Sequence, residues 1–156
     1  MLKKIILILF CCSLTIYAPV FAKGKVAAVS SLEIRQMQTR TYEVKDKKEL
    51  MEAIVNVLQD RDYLINESSY NLGMISGYKE CKESVFLGSH YVRYETSVQI
   101  NELNSKSYKV RTNFSKKNID PTGTVTTQIN IPNQEEFYRE FFTQLNKSLF
   151  IESQGI

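Results

Sequence analysis

Apolar residues change their spacing several times along this chain, and each change marks an element. Leu50, Met51, Ile54, Val55 and Leu58 recur at three- and four-residue intervals, the spacing of one face of a helix. Asp46 with Glu49 three residues on has the form of a capping box, so a helix is predicted over 47–61. From Tyr91 the interval drops to two. Val92, Tyr94, Thr96, Val98 and Ile100 face one way, and Arg93, Glu95, Ser97 and Gln99 face the other. One buried and one wet face is what an antiparallel sheet supplies. Asn104-Ser105-Lys106 reads as a hairpin, and Tyr108, Val110, Thr112 and Phe114 repeat the alternation on the return.

The remaining segments are placed by weaker patterns. Leu32 to Val44 alternates through Leu32, Ile34, Tyr42 and Val44, with an interruption at 36–39, and predicts an extended segment strongest over Arg40 to Val44. Tyr63-Leu64-Ile65 opens a strand directly after the first helix. Asn71-Leu72-Gly73 reads as a turn with Gly73 free to take positive φ, and Met74 to Lys79 as the next strand. Asn118 to Gly123 is expected to loop, and Val125 to Ile131 to form a further strand. Pro132 ends it, and Asn133 with Glu136 caps a last helix. There Phe137, Phe141, Leu145 and Leu149 form a stripe widened by Tyr138, Phe142 and Phe150. The predicted order is β-α-β-β-β-β-(β)-α. It implies an α+β fold with two amphipathic helices on one face of a mostly antiparallel sheet.

The N-terminus carries the parts of a secretory signal: Lys3 and Lys4, an apolar run from Ile5 to Ile16, and Val20-Phe21-Ala22 at a cleavage site. The run is short against the roughly 20 apolar residues of a membrane span. Cleavage after Ala22 is favoured over a retained anchor. Lipid modification at Cys11 or Cys12 is the other alternative, but Cys11 follows Phe10 and Cys12 follows a cysteine, where a lipobox has a small residue. The domain plan is therefore a signal peptide over 1–22, a flexible lead over 23–31, one α+β domain over 32–150 and a C-terminal tail over 151–156. Export to the periplasm or cell envelope is expected, ahead of secretion or lipid anchoring.

Removing the signal changes the charge. Without Lys3 and Lys4 the 20 basic residues fall to 18 against 17 acidic ones, a balance of +1. A nucleic-acid binder presents a basic stripe on a clearly positive domain, so that partner class is excluded. Lys47-Lys48 and Lys116-Lys117 read as solvated helix and turn residues. Of the 3 cysteines only Cys81 remains after the signal, which rules out an intramolecular disulfide and leaves a thiol that is buried, reactive or paired with another chain.

Little chemistry is encoded. His90 is the single histidine, and Cys81 with His90 is the one conceivable nucleophile–base pair, lacking a third group to orient it. Gly73 and Gly77 precede no helix and make no phosphate loop. Glu49, Glu52, Glu135 and Glu136 are explained by helix first turns. Asp60 and Asp62 flank Arg61 as a solvated salt-bridge cluster. No metal-ligating set and no cofactor motif is present. Tyr70, Tyr78, Tyr91, Tyr94 and Tyr108 fit sheet packing, with a binding surface as the alternative.

The helix end at Asp60-Arg61-Asp62, then Tyr63-Leu64-Ile65 and Leu72-Gly73-Met74-Ile75-Ser76-Gly77, resembles small bacterial envelope domains of helix-grip type. Among these it is similar to the repeated domains of BamC-like accessory lipoproteins of outer-membrane assembly. Residues 33–40 and 137–142 resemble uncharacterised exported proteobacterial proteins. The likeness spans roughly 32–150 and departs from a lipoprotein in its lipobox. Negative chemistry and export together point to a non-enzymatic envelope protein docking on another envelope protein or the membrane surface. Its candidate surfaces are an open sheet edge and the segment bearing Arg35, Gln36, Gln38 and Arg40. The alternative is a small exported enzyme or a small-ligand or lipid binder using a pocket between helices and sheet.

Overall fold

A computed structural model describes residues 30–85, 88–120, 122–129, 131 and 133–154. The expected signal peptide and nearly all of the lead lie outside these residues.

The first described element corrects the expected extended segment. α1 (Ser31–Met37) is a helix, and only Thr39–Glu43 is a strand, β1. Ser30 Oγ accepts the Glu33 N–H at 3.2 Å, and the Glu33 carboxylate accepts the Ser30 N–H at 2.7 Å. This capping box satisfies two donors that a helix start leaves open. The competing alternation of Leu32 and Ile34 has no core to reward it, since α1 buries no residue.

α2 (Lys47–Asp60) begins where expected. Asp46 accepts the Glu49 N–H, and Leu50, Met51, Ala53, Ile54, Val57 and Leu58 are buried. It ends with Asp62 in the left-handed region, Asp62 N–H bonding to Gln59 O and Tyr63 N–H to Leu58 O. That double bond is a Schellman end. Arg61 pairs not with its acidic neighbours but with Glu140 and Gln144, its guanidinium over the Phe137 ring.

β2 (Leu64–Ser69), β3 (Met74–Val85), β4 (Gly88–Asn104), β5 (Ser107–Ile119) and β6 (Val125–Ile129) follow in antiparallel pairs. The six-stranded sheet has the order β1-β5-β4-β3-β2, with β6 beside β5. β1 pairs with Ser107–Arg111 and β6 with Lys116–Ile119, so both lie on the outer side of β5. β5 thus runs on through Lys116-Lys117, which the sequence pattern assigned to a turn. Pairing with β4 and β6 on both sides holds that stretch extended. At the β2–β3 turn Gly73 has φ +60°, as expected of it, and its carbonyl accepts the Ile100 N–H at 2.7 Å.

α3 (Gln134–Ser153) lacks the expected cap: Asn133 is left-handed and its side chain makes no capping bond. The helix reaches into the stretch expected as a tail. It buries Tyr138, Phe141, Phe142 and Leu145, while Phe137 and Leu149 are half-buried and Phe150 is 65% exposed. α2 and α3 share one core with the inner sheet face. Phe114 sits at its centre, its ring 5.0 to 6.1 Å from those of Tyr63, Phe137, Tyr138 and Phe141. Each large side chain buried there contributes about 1.5–3 kcal/mol before entropy. The fold is α+β, with the strand and helix order expected and α1 added in front.

Candidate functional site

Sheet register carries the inner face beyond the helices. Ile75, Gly77, Lys79, Cys81 and Glu83 lie opposite Val98, Thr96, Tyr94, Val92 and His90, and Phe114, Lys116 and Asn118 continue the same rows on β5. The face therefore changes from apolar to polar toward the β3–β4 hairpin. Lys116 Nζ donates to Glu83 Oε2 at 2.6 Å, and Tyr94 Oη donates to Glu83 Oε1 at 2.8 Å. His90 Nε2 stands 3.8 Å from the same carboxylate. Lys79 spans the Tyr63 and Tyr94 rings while donating to Arg61 O at 3.0 Å.

These partners favour the charged forms of Glu83 and Lys116. Burial pushes the Glu83 carboxyl up, but hydrogen bonds from Lys116 and Tyr94 outweigh it and hold it below its usual value. Burial pushes Lys116 down, and its bonds to Glu83 and Tyr94 more than compensate, leaving it raised. Burial and donation to Glu83 both raise Tyr94. Within the cluster the Glu83 carboxylate and the Lys116 ammonium are matched by one another.

Cys81 and His90 share this face without forming a pair. Cys81 stands opposite Val92, so His90 is its diagonal neighbour, at a typical separation of about 7–8 Å between main chains. Among the described residues no hydrogen bond joins them, and the nearest charged partner of His90 is Glu83. Cys81 is a half-buried free thiol. Sequence reasoning missed the Glu83–Lys116–Tyr94 network, although its signal was present: Lys116 keeps the parity of Tyr108 to Phe114. It is buried and ion-paired, correcting the solvated reading, and Lys117 pairs with Glu95 on the outer face.

The second candidate surface is assembled by α1 and β1. Arg35 and Gln36 are exposed on α1, and Arg40 is exposed on β1, its guanidinium over the Phe142 ring and donating to Gln36 O and Thr39 O. Gln38 does not belong to that surface. It is buried, its amide donating to Tyr138 Oη at 3.1 Å and Asn113 Oδ1 at 3.2 Å, because it fills a break in the sheet edge between β1 and β6.

β1 is the terminal strand. Thr112 N–H bonds to Gln38 O, and Val44 N–H to Lys106 O, so even-numbered residues here face β5 and Thr39, Thr41 and Glu43 turn their main chain outward. Arg40 covers the Thr39 carbonyl. Among the described residues nothing takes the outward groups of Thr41 and Glu43. The opposite edge, β2, is broken by a bulge between Ile65 and Glu67, a common protection of edges. Beside β1, where its end meets the start of α2 and the end of α3, lies an open groove of about 910 Å³.

Among the described residues no cluster of three potential metal ligands occurs, and no helix is long and apolar enough to cross a membrane. No protein-family model matches the chain, and no curated protein matches it. Several solved structures align with part of it. A DUF4468 family protein from Bacteroides ovatus aligns at TM-score 0.43 and 9% identity, covering 71% of this chain and 84% of its own. A TBP-like protein from Parabacteroides distasonis aligns at 0.40 and 12%, covering 71% and 90%. The vertebrate conserved region of human METTL16 aligns at 0.43 and 10%, covering 71% and 95%.

Proposed function

We propose that this chain is an exported, non-enzymatic domain of the cell envelope that docks on a protein partner along β1. The observation that carries the reading is the pair of outward main-chain units at Thr41 and Glu43, without partners among the described residues and flanked by exposed Arg35, Gln36 and Arg40. An extended segment of another protein can complete a sheet at such an edge, its main chain supplying the hydrogen bonds. The polar end of the sheet supports the non-enzymatic half. A general base or nucleophile must be free to take or give a proton, and Glu83, Lys116 and Tyr94 are bound to one another. Export rests on the signal features at residues 3–22.

A photo-reactive residue in place of Arg40, in intact cells, tests the docking. We expect one discrete covalent adduct that is missing when the same residue replaces Asn101 on β4, and lost when Thr41→Pro is added. Equal adducts from both positions, or none, would sink the reading. Export is tested separately by the mass of the mature protein, expected to start at Lys23.

A further inference from the structure

The groove beside β1 has its own chemistry. Tyr42, Leu149 and Phe150 are among its lining residues, and the exposed Phe150 ring stands at one side. Glu43, Asp46, Glu49, Glu52 and Glu152 outnumber Lys45 and Lys48 around it. Lys48 is already engaged by Glu52 at 3.2 Å, and Asp46 by the start of α2, so the carboxylates of Glu43 and Glu49 stand without a cation among the described residues.

A second observation points to an extended occupant: the main chain of Thr41 and Glu43, on the strand beside the groove, turns outward with no partner among the described residues.

We infer that the groove takes an extended peptide segment bearing lysine or arginine. Its main chain continues the sheet at Thr41 and Glu43, and its basic side chains meet the carboxylates of Glu43 and Glu49. Side chains of an added strand alternate between faces. Those on the inner face, which it shares with Tyr42, meet Leu149, Phe150 and Glu49. Those on the outer face meet Glu43. The inference rests on the docking reading above and adds the chemistry of the partner.

The test is fluorescence anisotropy on the full chain with two labelled decapeptides, one alternating valine and lysine, the other valine and glutamate. The lysine peptide is expected to bind about threefold tighter at low salt, because its lysines all lie on one face and meet Glu49 or Glu43 there. The ratio should shrink in 0.5 M salt, about where screening shortens to a few ångströms. E43K with E49K should reverse the preference. Equal binding of both peptides, or no binding of the lysine peptide up to millimolar concentration, overturns the inference. The docking reading falls on a different result, a Thr41→Pro chain whose Arg40-site adduct in cells is undiminished.

Discussion

Tyr138 holds its hydroxyl 3.2 Å from the main-chain N–H of Phe114, in the stretch of β5 that neither β1 nor β6 covers. Gln38 completes the patch, its carbonyl accepting Thr112 N–H at 2.9 Å and its amide donating to the same hydroxyl at 3.1 Å. Helix, edge and strand are locked by one phenol. Y138F keeps the ring but leaves the Phe114 donor buried and unpaired, which costs about 1–3 kcal/mol. Urea unfolding checks this, and a change within a few tenths of a kcal/mol would mean the edge heals itself.

The Glu83 network makes a prediction about pH. The folded carboxyl lies below its usual value near 4.5, so its contribution is complete above that value and is lost as pH falls through the folded pKa. E83Q also leaves Lys116 a buried ammonium without its counter-ion, at a cost of about 1–3 kcal/mol near neutrality. The difference in unfolding free energy between the native chain and E83Q should therefore be widest above the usual carboxyl value and shrink as pH falls below it through the folded pKa. A difference independent of pH would assign the loss to packing.

Gly73 is the position where the backbone conformation most narrowly restricts the residue. Its φ of +60° disfavours any side chain, and an added Cβ would press on the Ile100 carbonyl of the neighbouring strand. G73A should destabilise by more than about 1 kcal/mol, where a glycine-to-alanine change at a compatible site stabilises. G123A, at φ +84° with no atom near the added Cβ, isolates the backbone strain from the clash. Thermal unfolding of both variants separates the two contributions.

Phe141 and Phe150, both on the α3 stripe, should behave differently. Phe141 is fully buried, and F141A should cost about 3–5 kcal/mol. Phe150 is exposed, so F150A should fall within about 0.5 kcal/mol of the native chain in stability. Its effect belongs to the groove instead, as weaker binding of the valine–lysine peptide.

Periodicity alone determined much of this protein. The helical spacing from Leu50 to Leu58, the alternation from Val92 to Ile100 and from Tyr108 to Phe114, and the need for glycine at position 73 are local properties of the chain. They lead directly to the elements, their buried faces and the α+β order. What stood in plain sight yet was passed over was also local: Ser30 and Glu33 as a capping box, and Lys116 on the parity of a buried row. Tertiary structure decided the rest, because it depends on which strands become neighbours. Only register brings Glu83 to Lys116 and sets Cys81 diagonal to His90. Only the gap between β1 and β6 turns Gln38 from a surface residue into a buried plug. The outward main chain of Thr41 acquires meaning only once β1 is known to end the sheet, for an edge is a property of the assembled strands and of no single one.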